Sequence, residues 1–418
     1  MEPIKRNEKR HLDTLPAGAL GIVPIKGCEE MASEIDYYLR VWREERESEH
    51  KDSIAYVGYK RPTYIIESSL PRFGTGEGKG VLSASVRGMD LYILADVVNY
   101  SETYKMFGFE NHMSPDDHYQ NLKRVIASIG GKSRRITVIM PYLYESRQNK
   151  RSARESLDCA IALQELVRMG VDNIITFDAH DPRVMHAIPL NGFDTLRPAY
   201  QFIKGLLRSV NDLQIDSDHM LIISPDEGGM KRAVYYANVL ELDMGMFYKR
   251  RDYTRFENGV NPIVAHEFLG SSVEDKDVIV IDDMLSSGDS ILEIAKALKK
   301  RKARRVFVFE TFGMFTDGIK KFDDAYELRY DEDLGKEIRI IDKIVTTNLI
   351  YQKPELKDRP WYVCCGMSKY LAYLIDTLNH DSSISDLLDP REKIWTSISR
   401  YNKERERALE NGEEFHFV

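Results

Sequence analysis

Short apolar runs alternate along this chain with longer stretches in which apolar residues recur every three or four positions. ITVIMPYLY (136–144) reads as a buried strand, and SLDCAIALQELVRMG (156–170) behind it has helical spacing. The pair recurs as NIITFDAHD then AYQFIKGLLRSV, as MLIISPDEGG then RAVYYANVLEL, and as VIVIDDM then ILEIAKALKK, with MGMFYKRRD and RVFVFETFG as further strands. Strand, loop, helix, strand predicts α/β domains whose mainly parallel sheets are covered by helices on both faces. In such sheets the loops at strand ends are where ligands sit.

The series divides near residue 195. Each half holds a strand–loop–helix unit followed by another strand, so an internal duplication fits the pattern, although the halves share little literal sequence. The expected organisation is an N-terminal domain over 1–195, a second over 196–350 and a helical extension over 351–418. In that extension SKYLAYLIDTLNH is the strong helix and YNKERERALENGEEF a charged, fraying end. The charged stretches 37–66 and 327–343 read as surface excursions.

Bulk properties narrow the class. A chain of 418 residues exceeds one ordinary core. With 59 basic against 67 acidic residues it lacks the cation excess that a nucleic-acid binder uses to displace counterions. No apolar run approaches a membrane span, and MEPIKRNEKRHLDTL has no apolar stretch behind its charges, so neither a membrane segment nor a secretory signal is expected. Cys28, Cys159, Cys364 and Cys365 lack metal-type spacing and suit a reduced chain, which points to the cytoplasm.

The loops carry the candidate chemistry. In ISPDEGGMKRA (223–233) paired glycines let backbone amides approach an anion at a helix start, and Lys231 and Arg232 follow. The same residues also make an ordinary turn, with Asp226 as a metal ligand or a helix cap. In FDAHDPR (177–183) His180 stands between Asp178 and Asp181, surroundings that suit Mg²⁺ held by few protein contacts and completed by phosphates. A lone histidine in such a loop is more often structural, and no HExxH or CxxC spacing supports zinc. YESRQNKRSARES (144–156) crowds Arg147, Lys150, Arg151 and Arg154 into one loop, either a clamp over polyphosphate or a solvated basic turn. MFYKRRDY (246–253) puts Lys249 and Arg251 on one strand face and Arg250 on the other, as cations for a transferred phosphoryl group or as guards of an edge strand. RFGTGEGKG (72–80) matches neither a Walker loop nor a dinucleotide fingerprint and reads as a hairpin or surface turn. In VIVIDDMLSSGDSI (278–291) a buried strand runs into two acids and a row of small hydroxyl residues before a helix, either a polar turn or a seat for a sugar phosphate.

The order of these loops is more specific than any one of them. A basic RQ loop, a DxH strand end, SPDxGGxxRA, a KxR strand and a DD-initiated loop occur together in the ribose-phosphate pyrophosphokinases. This chain resembles that family from about Leu70 to Ile350 and again over SKYLAYLIDTLNHDSSISDLL. The resemblance implies two phosphoribosyltransferase-like α/β domains plus a C-terminal helix, assembled as a homo-oligomer (hexamer or dimer), with an active site between domains that includes residues of a neighbouring subunit. It implies transfer of the β,γ-diphosphoryl group of ATP to the C1 hydroxyl of ribose 5-phosphate, with Mg²⁺, giving phosphoribosyl pyrophosphate and AMP. By motif position Phe73, Thr75 and Glu77 would contact adenine, and Arg147 and Gln148 would bind ATP. His180 and Asp226 would lie at the Mg–ATP centre, and Lys249 and Arg251 would stabilise the transition state. Asp282 and Asp283 would hold the ribose hydroxyls, with Ser286, Ser287, Gly288 and Ser290 around the sugar phosphate.

Some positions depart from the family pattern. Thr75 stands where Asp or Asn is usual, and the loop after Gln148 is slightly shorter than is common. In the last loop Ser286 replaces an Asp, Ser287 and Ser290 replace threonines, and Asp289 replaces a Gly. An added anion at 289 is unfavourable beside a phosphate unless it points away. These changes leave two other readings open, a non-catalytic regulatory homologue and a diphosphokinase for another 5-phosphorylated ribosyl acceptor.

Overall fold

A computed structural model describes residues 14–49, 59–151, 153–251, 263–332 and 335–417, with backbone but not side chains for 47–49, 249–251 and 263–266. The chain forms two compact units: one runs to Arg197 and takes in Leu349–Tyr351 and Gly366–Leu388, and the other comprises Pro198–Asn348, Gln352–Cys365 and the residues from Asp389 onward. The residues after 351 are thus shared between the units and do not stand as a separate extension.

In the first unit five strands lie side by side in chain order, all parallel: β1 (Ala19–Pro24), β2 (Met89–Leu94), β3 (Arg135–Ile139), β4 (Asn173–Phe177) and β5 (Gly192–Leu196). Every residue of β2 is buried, as a central strand covered on both faces requires. The stretch from 37 was expected to be a surface excursion, but through residue 46 it belongs to the helix Glu29–Glu49, with Tyr38, Leu39, Trp42, Arg43 and Arg46 buried. Its two buried arginines, Arg43 and Arg46, converge on the buried Asp376 of the helix Ser368–Asn379. Arg43 Nε is 3.2 Å away, and Arg43 Nη2 also donates to Asn379 Oδ1 at 2.6 Å. Burial alone would raise the Asp376 carboxyl, but Arg46 and Arg43 outweigh it and hold it below the ordinary carboxylate range. Residues 50–58 of the expected excursion lie outside the described residues.

Asp96, just past β2, is buried and accepts amides from Tyr351 (2.7 Å) and Val98 (3.0 Å), which fastens the returning segment 349–351 to this unit. Burial pushes its carboxyl from 3.8 up to about 6, against the two amides. An acid whose folded value is raised costs stability as pH rises from its unfolded value through its folded one, and the cost is constant above that window. Asp96→Asn is therefore expected to gain stability over the wild type by roughly 1–2 kcal/mol more at pH 7.5 than at pH 5. Urea unfolding of both proteins at the two pH values checks this, and equal differences would count against it.

The second unit has a seven-stranded sheet in the order β8–β7–β6–β9–β10–β11–β12. These are β6 (Met220–Ser224), β7 (Met244–Arg251), β8 (Ile263–Gly270), β9 (Asp277–Leu285), β10 (Arg305–Gly313), β11 (Lys343–Thr347) and β12 (Tyr362–Cys365). All pairings are parallel except β7 with β8. Along β9, Ile279 and Ile281 enter one apolar cluster with Phe202, Tyr236 and Phe309, while Val278 and Val280 enter another with Leu298, Phe322 and Trp361. The period of two, apolar on both faces, is why VIVI reads as an unbroken run. The charged end of the chain is also no frayed tail. Residues Arg391–Asn411 form one helix, with Ile394, Ile398, Tyr401 and Ala408 buried along a stripe, and Tyr401 Oη donates to Val210 O at 2.7 Å. The second expected excursion, 327–343, holds a short surface hairpin of Arg329–Asp331 with Lys336–Ile338.

Among the described residues no helix is long and apolar enough to cross a membrane.

Candidate functional site

The second unit's sheet has a topological switch point. From β6 the chain moves to β7 on one side, and β9 later takes the place on the other side. Ligands of open α/β sheets bind at the carboxyl ends of such strands. The loops leaving β6 and β9 are SPDEGG and DDMLSSGDS.

In the first loop Asp226 Oδ1 accepts the amides of Gly228 (2.9 Å) and Gly229 (3.1 Å), while Ser224 Oγ donates to the Asp226 carbonyl at 2.7 Å. This closes the turn that leads into the helix Met230–Leu240, whose start has no side-chain cap of its own, so the carboxylate oxygen serves the turn here. That helix supplies Arg232, read from the sequence as a cation for phosphate. The structure turns its guanidinium to the paired acids instead, with Nη1 3.0 Å from Asp282 Oδ1 and Nη2 3.8 Å from Asp283 Oδ1. Burial, and next the adjacent Asp283 carboxylate, push the Asp282 carboxyl well up, and Arg232 opposes them. Arg232 thereby ties the two loops together.

Beyond the acids the backbone is fixed from outside. Leu285 O accepts Met314 N at 2.9 Å and Ser286 O accepts Thr316 N at 3.0 Å. Gly288 has φ 87°, and a Cβ there would lie 2.2 Å from Phe322 Cζ, so both backbone and space demand glycine. The helix Asp289–Lys300 starts directly after it with no side-chain cap, leaving its amide end for an anion. Ser286 and Ser287 are half-buried beside this end, and Ser290 is exposed on it.

Lys249 and Arg251 lie on β7. The strand shares rungs with β6 only at 244–246, so Phe247–Arg251 run on paired with β8 alone, a two-stranded ribbon past the end of β6. The ladder slips between Arg250, opposite Ala265, and Arg251, opposite Ile263. In sheet order β7 lies inside β8, but beyond Met246 its other side has no partner strand among the described residues, so its charges stand on an open strand side as well as past the end of β6. The side chains of Lys249 and Arg251 lie outside what is described.

In the first unit the loop 72–80 is a hairpin bend. Phe73 N donates to Glu77 O at 2.7 Å, Thr75 Oγ1 donates to Glu77 Oε2 at 2.9 Å, and the Phe73 ring is 56% exposed. A second hairpin, Thr103–Met106 with Phe109–His112, props it: Phe107 N donates to Gly74 O at 2.8 Å and the Arg72 guanidinium lies 4.5 Å from the Tyr104 ring. The loop 144–156 leaves β3 through Tyr144, which stacks on Tyr119 with centroids 4.2 Å apart. Arg147 is exposed, and Gln148 Nε2 donates to Ser156 O at 2.7 Å. His180 is exposed past the end of β4, after Asp178 takes a left-handed turn at φ 40°.

One helix end steadies two of these loops. Ser114 and Asp117 form a reciprocal cap on the helix Pro115–Ile129. Asp117 Oδ1 also pairs with Arg72 at 3.2 Å, and Asp116 Oδ1 accepts from Tyr144 Oη at 2.6 Å. These residues are absent from the motif loops, although Ser-Pro-Asp-Asp at 114–117 carries a helix-capping signal in the sequence.

Among the described residues no group of three or more His, Cys, Asp and Glu side chains is placed to hold a metal ion. The candidate metal ligands fall one in each unit, His180 in the first and Asp226 in the second.

Residues 20–170 match the model of the N-terminal domain of ribose phosphate pyrophosphokinase, and residues 193–334 match the phosphoribosyl transferase domain. Ribose-phosphate pyrophosphokinase of Vibrio parahaemolyticus is 26% identical over 335 residues, covering 77% of this chain and 91% of the relative. That of Buchnera aphidicola is 28% identical over 327 residues, with the same coverage of 77% and 91%. A crystal structure of phosphoribosylpyrophosphate synthetase from Mycobacterium smegmatis superposes with a TM-score of 0.63 at 18% identity, over 87% of this chain and 99% of that one, and confirms the fold. The two units are α/β domains of the phosphoribosyltransferase type. The chain belongs to the ribose-phosphate pyrophosphokinase family.

Proposed function

We propose that this protein is a ribose-phosphate diphosphokinase, which moves the β,γ-diphosphoryl group of ATP to the C1 hydroxyl of ribose 5-phosphate and releases AMP. The observation that carries the reading is the switch-point site of the second unit. Paired acids, a rigid glycine turn and an uncapped helix end lie in sequence at one strand terminus, in a chain of this family.

In this mechanism Asp282 and Asp283, oriented by Arg232, accept hydrogen bonds from the ribose hydroxyls. Backbone amides at 287–290 and the hydroxyls of Ser286, Ser287 and Ser290 hold the sugar phosphate. The ring of Phe73, with Thr75 and Glu77, meets adenine, and Arg147 and Gln148 meet the ATP phosphates. The C1 oxygen attacks the β-phosphorus, the bond from that phosphorus to the α-phosphate oxygen breaks, and AMP leaves with that oxygen. The hydroxyl proton passes to solvent. Lys249 and Arg251 stabilise the charge that builds on the diphosphoryl group in flight.

When bound, Mg²⁺ would supply charge neutralisation for the polyphosphate. His180 and Asp226 are the residues that would touch it, and so small a donor set suits a cation whose shell is completed by phosphates and water. The reading includes a homo-oligomer in the cytoplasm.

The test is AMP formation from ATP and Mg²⁺ by the purified protein, with and without ribose 5-phosphate and with other phosphorylated pentoses. AMP release strictly dependent on ribose 5-phosphate is expected. Release with another sugar only would move the acceptor assignment, and no release would remove the reading. A second outcome follows from the helix end shared by the nucleotide loops. Asp117→Ala should cost about 1 kcal/mol of stability through the lost cap. It should also raise KM for ATP severalfold while KM for ribose 5-phosphate stays level. Equal changes in both KM values would contradict it.

A further inference from the structure

The phosphate loop contains one residue that works against its proposed task. Asp289 places a carboxylate at the amide end of the helix Asp289–Lys300, where a sugar phosphate would dock. The acid has a local justification, since Gly288 offers no cap and a carboxylate in the first turn is favoured by the positive end of the helix. The same charge repels a phosphate dianion.

The structure supplies a compensating cation. Lys321 Nζ lies 2.6 Å from Asp289 Oδ1 and 3.6 Å from Asp317 Oδ2. The lysine is the less exposed partner, at 27% against 65% for Asp289. Its helix, Lys320–Tyr326, is held on the loop by two independent contacts. Phe322 fills the space over Gly288, and Thr316 N, just upstream, donates to Ser286 O at 3.0 Å. The position of Lys321 therefore follows from the same packing that shapes the phosphate turn.

We propose that Lys321 is a positioning residue for the phosphate-bearing substrate: it neutralises Asp289 and draws its carboxylate aside, and so sets affinity for the sugar phosphate without touching the reacting atoms. The inference rests on the reading of Ser286–Ser290 as the phosphate site. It separates two jobs that the loop combines, because Asp289 serves the helix start and Lys321 removes the resulting penalty on the ligand.

Steady-state kinetics and calorimetric binding of ribose 5-phosphate, on the full chain at low ionic strength, test it. Lys321→Met should raise KM and the dissociation constant for ribose 5-phosphate roughly five- to tenfold, with kcat and KM for ATP within about twofold. Lys321→Arg should match the wild type. Asp289→Gly, which leaves the cation only the more distant Asp317, should tighten binding about two- to fivefold, and the double variant Asp289→Gly/Lys321→Met should return to within about twofold of the wild type. Unchanged affinity in Lys321→Met would overturn the proposal. So would a double variant as weak as Lys321→Met, which would make Lys321 a direct phosphate ligand. If Lys321→Met does not fold, the Asp289→Gly and Lys321→Arg arms decide, and looser binding in Asp289→Gly would overturn it. A wild type that neither binds ribose 5-phosphate nor releases AMP would sink the phosphate-site reading itself, an outcome distinct from a competent wild type with level variants.

Discussion

Lys249→Ala is expected to lower kcat by roughly a hundred- to thousandfold, the usual effect of removing one charge-stabilising donor from a transition state. The melting temperature should stay within about 2 °C, because the backbone at this position lies past the end of β6 and pairs with β8 alone. Phe247 is the last residue of β7 in the apolar clusters, and the ribbon beyond it pairs with β8 alone. Alanine retains the backbone hydrogen bonds of the ribbon, so the ladder persists. Arg251→Ala should behave in the same way, whereas Arg250→Ala, between the two, should keep most of the rate. In-line phosphoryl transfer relies on positioned cations and uses no covalent nucleophile, so losing one of two leaves binding largely intact and the barrier high. Wild-type turnover in Lys249→Ala, measured with both substrates saturating, would take the lysine out of the mechanism.

Gly288→Ala should have the second large effect, on stability and activity together. A methyl group at φ 87° is strained by itself, and its carbon would sit 2.2 Å from Phe322 Cζ. Strain and overpacking together cost roughly 2–4 kcal/mol, which lowers the melting temperature by about 5–12 °C in a domain of this size. Relief requires the turn to move away from Phe322, and that takes the Ser287 and Ser290 hydroxyls and the helix amides out of register. Ribose 5-phosphate binding should weaken by at least roughly a hundredfold, a loss beyond that of any single hydrogen bond. Gly318→Ala is the control: that glycine also has positive φ, 81°, but a Cβ there meets nothing within 4 Å, so it should show only the modest backbone cost. Similar losses in the two variants would refute the packing argument.

How far the sequence could be read depended on whether the partners were near in the chain. VIVIDDMLSSGDSI announced its strand, its turn and its helix because apolar period, acids and glycine are adjacent, and the structure places all three at the switch point. The helix Glu29–Glu49 misled for the opposite reason. Arg43 and Arg46 look solvent-facing until Asp376, more than 300 residues away, is brought against them. The tail helix was mistaken for a fraying end because its buried stripe is only four residues wide among many charges. Asp289 was visible as an anomaly, but Lys321 was not visible as its answer, since 32 residues separate them. Local signals thus located the candidate site, while the groups that orient it came from tertiary contacts.

The most direct test of the account follows the label of ATP carrying ³²P in the β-phosphate only, incubated with the protein, Mg²⁺ and ribose 5-phosphate. The account predicts that the label appears on the sugar as a C1 diphosphate, mole for mole with unlabelled AMP. Label recovered as ADP, the mark of a transfer from the γ-phosphorus, would contradict it.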